Sequence, residues 1–446
     1  MNILLATYSY YPYNYGGTEV YVSGLASYLK EQGHHVTIIA GMPPEAFQQH
    51  AVYFEDDQLK TVKYIQDGID VVGMVLKENR TTDIYTKFRE QWVYSWTAAL
   101  KKISQQQWDL LHIHANTSAI GRSLINAAKT HSNTIKIIAS YHLPVSCVKG
   151  TLLFANTMKP CTVKPSVTIC TACCISTKFG LPIQATKLLA AIMPELAEEK
   201  LPTPLRLKFL VKQFIHSFTS FDNDVNLWHV FSQQMKDILE INGVAEKKIF
   251  LLRHGVKPVF LESGIASVLQ RKEQQVKVFL FAARFNKLKG FITLMKAWCS
   301  LIQTSGRELW MVGEKQTVDE EISNYITAAA HRNDIKWLGI KTQKELAVIM
   351  SKVHCTIIPS EWIEIGPLVF HEAIAAGTDV IASDIGGCRE LVLQYKNKSS
   401  MFVTANVQSL KKTIIEFTYS GKTEQPQTQL QNYEAVLQSY YHISSN

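Results

Sequence analysis

The chain has 446 residues, 46% of them hydrophobic and 19% charged, with a net charge of +8. That length suits two or three domains, each able to bury a core, and no stretch of about 18 uncharged apolar residues marks a membrane-crossing helix. The opening MNILLATYSYYP lacks the basic and apolar regions of a signal peptide, so it reads as a buried strand and a cytoplasmic location is expected.

In chain order, short apolar runs alternate with longer amphipathic segments. Ile3 to Thr7, Val36 to Ala40, Leu110 to Ile113 and Ile135 to Ser140 read as strands of a first series. Val276 to Ala283, Leu309 to Gly313, Ile335 to Leu338, Cys355 to Pro359 and Val380 to Ser383 repeat the habit. Helical spacing fills the gaps at Glu19 to Gln32, Lys289 to Leu301 and Pro367 to Ala376. Buried β-branched runs alternating with helices predict α/β domains built on parallel sheets. Two series predict two domains, 1–265 and 270–420, with a seam near the polar run QRKEQQ and an insertion over about 144–220. A last helix over 427–446, apolar at Leu430, Tyr433, Leu437 and Tyr440, is expected to pack back on the first domain.

The segment PSEWIEIGPLVFHEAIAAG, from Pro359 to Gly377, joins a strand end to a helix start. Pro367 suits a first turn, because its missing N–H has no partner there. The amides of Gly366, Leu368 and Val369 would then face outward at a helix N-terminus, where unpaired N–H groups and the helix dipole favour a diphosphate. Glu364 precedes this helix and Glu372 lies within it; each alone reads first as a solvated glutamate near a helix start. FAARFNKLKGF sets Arg284 just after a strand and Lys289 before a helix, a placement that suits paired phosphates. Gly16 and Gly17 stand between the first strand and its helix, where small residues permit close approach to a ligand or simply a tight turn. They do not form G-x-G-x-x-G, which disfavours an NAD-dependent enzyme. His142 ends a strand on the edge that should face a cleft, while His112 and His114 read as packed residues.

Taken together these strings resemble glycosyltransferase family 4, with its E-x7-E signature at Glu364 and Glu372 and its R-x4-K-G at Arg284, Lys289 and Gly290. The resemblance covers about 1–145 and 225–405 and implies a GT-B fold, two Rossmann-like doubly wound parallel-sheet domains facing a cleft. It further implies a nucleotide-diphosphate-sugar donor and retention of anomeric configuration. His142 and Glu364 would contact the transferred sugar and Glu372 the ribose. Arg284, Lys289, Gly16, Gly17, Gly366, Leu368 and Val369 would hold the phosphates. Ser232, His254 and Gly255-Val256 would be structural or hinge features. Ile365 and Asp379 depart from the family pattern, where Gly or Asn and Pro are usual. Base selectivity is expected around Lys315 and Leu338 to Ile340. A GT-B epimerase and a non-catalytic nucleotide-sugar-binding protein remain as alternatives.

No cofactor is expected for catalysis. Cys147, Cys161, Cys170 and Cys173 fall in the order C-x13-C-x8-C-x2-C, with Cys174 adjacent. This spacing suits a structural zinc, while scattered buried thiols remain the plainer alternative. No acidic residue occurs between Asp109 and Glu195, so this stretch is a footprint for an anionic partner or a solvated basic face. LPTPLRLKFLVKQFIHSF, from Leu201 to Phe218, reads either as an interfacial basic helix or as a packed one. The expected partners are a glycan or lipid-linked acceptor and an anionic membrane surface at the inner face of the cell membrane. No nucleic-acid-binding signature is found.

Overall fold

The structure, a computed structural model, describes the chain apart from residues 15, 78–91, 116–119, 199–200, 266–270, 304–305, 315–318 and 446. Two sheets organise it. The first contains β1 (Asn2–Thr7), β2 (His35–Gly41), β3 (Val52–Glu55), β4 (Leu59–Gln66), β5 (Ile69–Leu76), β6 (Leu110–Ile113), β7 (Lys136–Ser140), β8 (Leu227–Val230) and β9 (Ile249–Leu251). Their order is β3-β4-β5-β2-β1-β6-β7-β8-β9. The second contains β10 (Lys277–Ala282), β11 (Arg307–Val312), β12 (Ile335–Gly339), β13 (Cys355–Ile358), β14 (Asp379–Ser383) and β15 (Ser399–Phe402), in the order β12-β11-β10-β13-β14-β15. Every pairing in the second sheet is parallel. The first departs from an all-parallel sheet at one edge, where β4 runs antiparallel to both β3 and β5. That edge is amphipathic, with Lys60, Lys63 and Tyr64 alternating against buried Leu59 and Val62, as a half-solvated antiparallel strand requires.

The helices that frame the cleft and the 144–220 insertion are α1 (Gly17–Glu31), α2 (Val167–Phe179), α3 (Ile183–Ile192), α4 (Thr203–Asp224), α5 (Phe291–Cys299), α6 (Leu368–Ala375) and α7 (Gln429–Ser445). Central strands β1, β6 and β7 are buried nearly throughout, and their Ile, Leu and Ala side chains form the first core together with α1 and α7. The second core gathers Phe279, Phe281, Phe291, Trp298 and Leu309.

The chain crosses between domains ahead of Val256, earlier than the polar run near 270 suggests. Val256 and Phe260 pack with Leu280, Leu346 and Met350 in the second domain. Arg271, inside that polar run, is 1% exposed. Its guanidinium donates to the carbonyls of Met350, Val353 and Ala376. The return crossing lies alongside the outward one: Val256 N donates to Gln427 O, and Gln429 N donates to Val256 O. Gly255 permits this contact, since a Cβ there would lie 2.2 Å from the Thr428 carbonyl oxygen. Beyond it α7 packs on the first domain through Tyr433, Val436, Leu437 and Tyr440. Polar contacts fix its register. Tyr21 donates to Asn432, Ser439 meets His229, and Tyr440 meets His112.

A carboxylate also bridges the domains. Glu390 accepts from the amides of Gln233 and Gln234 at 2.9 and 2.7 Å, capping a first-domain helix whose N-cap is Ser232. Ser232 is therefore a structural cap. Among the described residues no helix is long and apolar enough to cross a membrane.

Candidate functional site

The ends of β1, β7, β10 and β13 face one another across a cleft of about 570 Å³. Gly16, Gly17 and His142 line it from the first domain, and Arg284, Lys289, Glu364, Gly366, Leu368, Val369 and Glu372 from the second. The ten residues assigned to the sugar and the nucleotide donor thus meet in one space. This follows from topology: in parallel sheets the loops after the strands converge at the carboxyl edge, and two such edges oppose here.

Glu364 is the most constrained of them. Its Oε1 accepts from Lys289 Nζ at 2.7 Å and from Ser360 Oγ at 2.6 Å, in a nearly buried setting. The loop that carries it is anchored on both sides. Gly387 N donates to Glu364 O at 2.6 Å, and a Cβ at Gly386 would meet the same carbonyl at 2.7 Å. Ile363 and Ile365 enter the first domain's apolar core. Ile365, at a position where the resembling family carries Gly or Asn, is therefore an inter-domain anchor. Gly366 continues that contact, since a Cβ there would lie 2.8 Å from the His254 ring and 3.1 Å from Phe231. Asp379, the other departure, begins β14 and is held by Ser420 and by the buried Lys398.

Lys289 is positioned by its own loop. Its amide donates to Asn286 Oδ1, and Gly290 follows at φ +70°. A Cβ at Gly290 would fall 1.7 Å from the Pro359 carbonyl oxygen, so only glycine lets this loop lie against the strand end before Glu364. Arg284 is exposed, and among the described residues its side chain has no hydrogen-bond or ion-pair partner. Pro367 stands at the N-cap of α6, one position earlier than a first-turn proline. The Leu368 and Val369 amides consequently occupy the first turn, where no intrahelical acceptor exists. Leu368 faces the other domain, 3.5 Å from where a Gly17 Cβ would be.

Burial dominates the titration of the site. Glu372 is nearly buried, which pushes its pKa from 4.5 to about 7, opposed by hydrogen bonding from Gln343 and by the Lys257 charge. Gln343 Oε1 is itself buried without a partner. His142 is held well below 6.5, first by burial and then by neighbouring His114 and His229. It is therefore neutral near pH 7. Its Nε2 lies 3.3 Å from His114 Nδ1, and its ring packs 4.5 Å from Phe231. His112 and His114 are fully buried, with His112 bonded to Ser140 and Tyr440, so they belong to the packing behind the cleft.

His254, a structural or hinge feature with at most a minor donor contact on the sequence reading, lines the cleft and stacks on Phe231 at 3.9 Å and 12°. Trp362, Asn286 and Gln343 also line it and were not singled out. Asn286 and Trp362 sit inside the two recognised motifs, which was the signal that could have found them. Gln343 has none, being brought in by the fold. Glu19, which begins the helical spacing to Gln32, is buried and accepts from Ser9 and Asn14, tying the loop before Gly16. Of the residues linked to base selectivity, Lys315 lies outside the described residues, and Leu338 to Ile340 end β12 and enter the following turn.

The four cysteines Cys147, Cys161, Cys170 and Cys173 border a small separate cavity of about 50 Å³. Among the described residues no three His, Cys, Asp or Glu side chains stand in ion-holding proximity. The segment from Leu201 to Phe218 resolves to a packed helix: α4 buries Leu210, Val211, Phe214 and Phe218. Lys208 and Lys212 reach outward to the Met193 carbonyl and Glu195. The exposed apolar surface lies instead on α3 and the end of α2, where Phe179, Leu188 and Ile192 are 61%, 74% and 81% exposed.

Comparison with known proteins agrees with this architecture. Residues 268–432 match the family model "Glycosyl transferases group 1", and residues 15–160 match "Glycosyltransferase Family 4". The chain is 27% identical over 127 residues to spore coat protein SA of Bacillus subtilis, a match covering 27% of this chain and 34% of that protein. It thus spans about a third of that relative's length. Among solved structures, a glycosyltransferase from Rickettsia africae superposes with a TM-score of 0.61 at 16% identity, covering 100% of this chain and 99% of that one. Anabaena HepE in complex with UDP and glucose gives 0.56 at 14% identity, covering 100% and 97%. Two parallel-sheet domains facing a cleft, each containing a region that matches a glycosyltransferase family model, give the chain the GT-B architecture.

Proposed function

We propose that the protein transfers a sugar from a nucleotide-diphosphate donor to a hydroxyl of a glycan or lipid-linked acceptor, with retention of anomeric configuration. The observation that carries this reading is the Lys289–Glu364 pair, 2.7 Å apart in the same cleft as Arg284 and the first turn of α6. As it stands, Lys289 neutralises Glu364. A donor diphosphate competes for that ammonium with greater negative charge, assisted by the Arg284 guanidinium and the α6 amides. Drawing Lys289 to the phosphates leaves Glu364, still held by Ser360, free to accept from the sugar's hydroxyls. Glu372 then accepts from the ribose, and neutral His142 hydrogen-bonds the sugar from the first domain.

In the transfer, the bond from the anomeric carbon to the diphosphate oxygen breaks and the acceptor oxygen bonds on the same face. The acceptor's proton passes to the leaving diphosphate. Arg284 and Lys289 stabilise the charge that develops on that leaving group. Glu364 and Glu372 act by positioning, not as nucleophiles.

Support for a membrane-borne acceptor comes from α3. Its exposed Leu188, Leu189 and Ile192 adjoin Lys187 in the acid-free stretch, a combination that suits insertion among anionic headgroups. The reading is tested by calorimetric titration of nucleoside diphosphates into the wild type and Arg284→Ala, followed by proton NMR of the product's anomeric signal. Weaker diphosphate binding in the variant and a product with the donor's configuration are expected. Equal binding would remove Arg284 from the site, and an inverted product would end the retaining mechanism.

A further inference from the structure

Residues 144–174, between β7 and the middle of α2, take no part in the transfer chemistry, yet they are the most elaborately built segment outside the cleft. Cys147 begins a turn closed by Gly150 N donating to Cys147 O. The chain then doubles back so that Cys161 N donates to Leu152 O at 2.7 Å, with a bridge between Leu153 and Pro160. Ser166 caps α2, whose Cys170 and Cys173 are three residues apart and therefore share one helix face. Three pieces of chain thus bring four thiols to the wall of one cavity of about 50 Å³, larger than the roughly 15 Å³ that a single water needs.

The rest of that wall is largely apolar, with Val148, Leu152, Phe154, Val163, Ile169 and Ile238 prominent, and the only charged side chain on it is Lys149. Two further features distinguish it from a core with incidental cysteines. Leu152 and Ala155, both between Cys147 and Cys161, have φ of +57° and +50°, a conformation that disfavours L side chains. The strain at Ala155 has a visible product: its amide donates to Cys173 Sγ at 3.1 Å. An N–H aimed at sulfur stabilises charge on it, which a neutral buried thiol does not need.

We propose that Cys147, Cys161, Cys170 and Cys173 ligate a thiophilic metal centre, a zinc ion or an iron–sulfur cluster, that fastens this loop to α2. Thiolates on a largely apolar wall select such metals over oxygen-seeking cations. Among the described residues the thiols do not already stand in ion-holding proximity, so binding would draw them together. Lys149, fixed by the Ala155 carbonyl and Thr177, supplies a compensating positive charge beside the anionic centre. Binding releases the thiol protons, so affinity rises with pH. Cys174, adjacent in sequence but absent from the cavity wall, is outside the ligand set.

The test is elemental analysis of the full chain purified without oxygen or chelator, with acid-labile sulfide and the visible absorption spectrum measured on the same sample. About one zinc per chain without colour identifies the ion, and iron with matching sulfide and visible absorption identifies the cluster. Either supports the proposal. Cys174→Ser should keep the wild-type metal content, and Cys170→Ser should lose most of it. Because Cys170→Ser could also unfold the loop, the metal-free wild type is titrated with zinc and, separately, with ferrous iron and sulfide. No metal as purified and no uptake in either titration would overturn the proposal. So would finding the four sulfurs paired in disulfides, or metal retained in full by Cys170→Ser.

Discussion

Glu372 offers the sharpest perturbation, because its environment makes opposite predictions for stability and for ligand binding. Burial raises its pKa from 4.5 to about 7. The folded state therefore holds a proton that the unfolded state has released between those pH values, and stability falls as pH rises across this interval. The two pKa values, at about 1.36 kcal/mol per pH unit, set a ceiling near 3 kcal/mol on that cost. Lys257 and Gln343 already offset part of it. Glu372→Gln removes the ionisation while keeping the shape. Urea denaturation should show the variant more stable than wild type at pH 8, by roughly 1 to 3 kcal/mol, and equal to it at pH 4.5. Donor binding should weaken in the same variant. A stability difference that does not change between pH 4.5 and 8 would refute the assignment of a buried, high-pKa carboxyl here.

Other consequences are direct. Arg271→Met leaves the buried carbonyls of Met350, Val353 and Ala376 without their donor, so it should cost about 3 kcal/mol in urea denaturation; a loss below about 1 kcal/mol would count against that role. Gly290→Ala forces a Cβ against the Pro359 carbonyl at positive φ. It should lower the melting temperature and reduce donor binding together, and a variant indistinguishable from wild type in both would contradict the close approach. The double change Leu188→Glu, Ile192→Glu should abolish sedimentation with vesicles containing anionic lipid while leaving diphosphate binding intact. Unaltered sedimentation would sink the proposed membrane face.

Much of this was legible in the sequence because period and motif carry it. The second sheet is parallel and buried on both faces, so β10, β11, β13 and β14 appear as uninterrupted apolar runs. The first sheet's β4 was missed for the converse reason: its Lys60, Lys63 and Tyr64 break up the buried residues and mimic a polar loop, whereas β5, an apolar IDVVGMVL, carries the buried-strand pattern and was passed over. Arg271 was hidden in QRKEQQ, since a charge run reads as a solvated linker and nothing local reveals that one member has been enclosed. Asp379 and Ile365 looked like departures from a pattern until Ser420, Lys398 and the first domain's core were found against them. Arg284, Lys289, Glu364 and Glu372 were recognised through the resemblance to the family 4 motifs, but the Lys289–Glu364 ion pair links positions 75 residues apart and only the fold brings it about. Of the two readings of the segment that forms α4, the packed helix is the one found, and the exposed apolar face occurs on α3, because α4's Phe and Leu residues found a core and α3's did not.

Turnover in the inter-domain cleft is the central claim, and nucleotide release tests it most directly. Purified wild type and a Lys289→Ala, Glu364→Ala double variant would be incubated with UDP-, GDP- and ADP-sugars, with and without membrane extract as acceptor. One donor class should release its nucleotide, faster with extract, and the double variant should lose this release. Saturable donor binding by the wild type with no release under any condition would contradict a transferase.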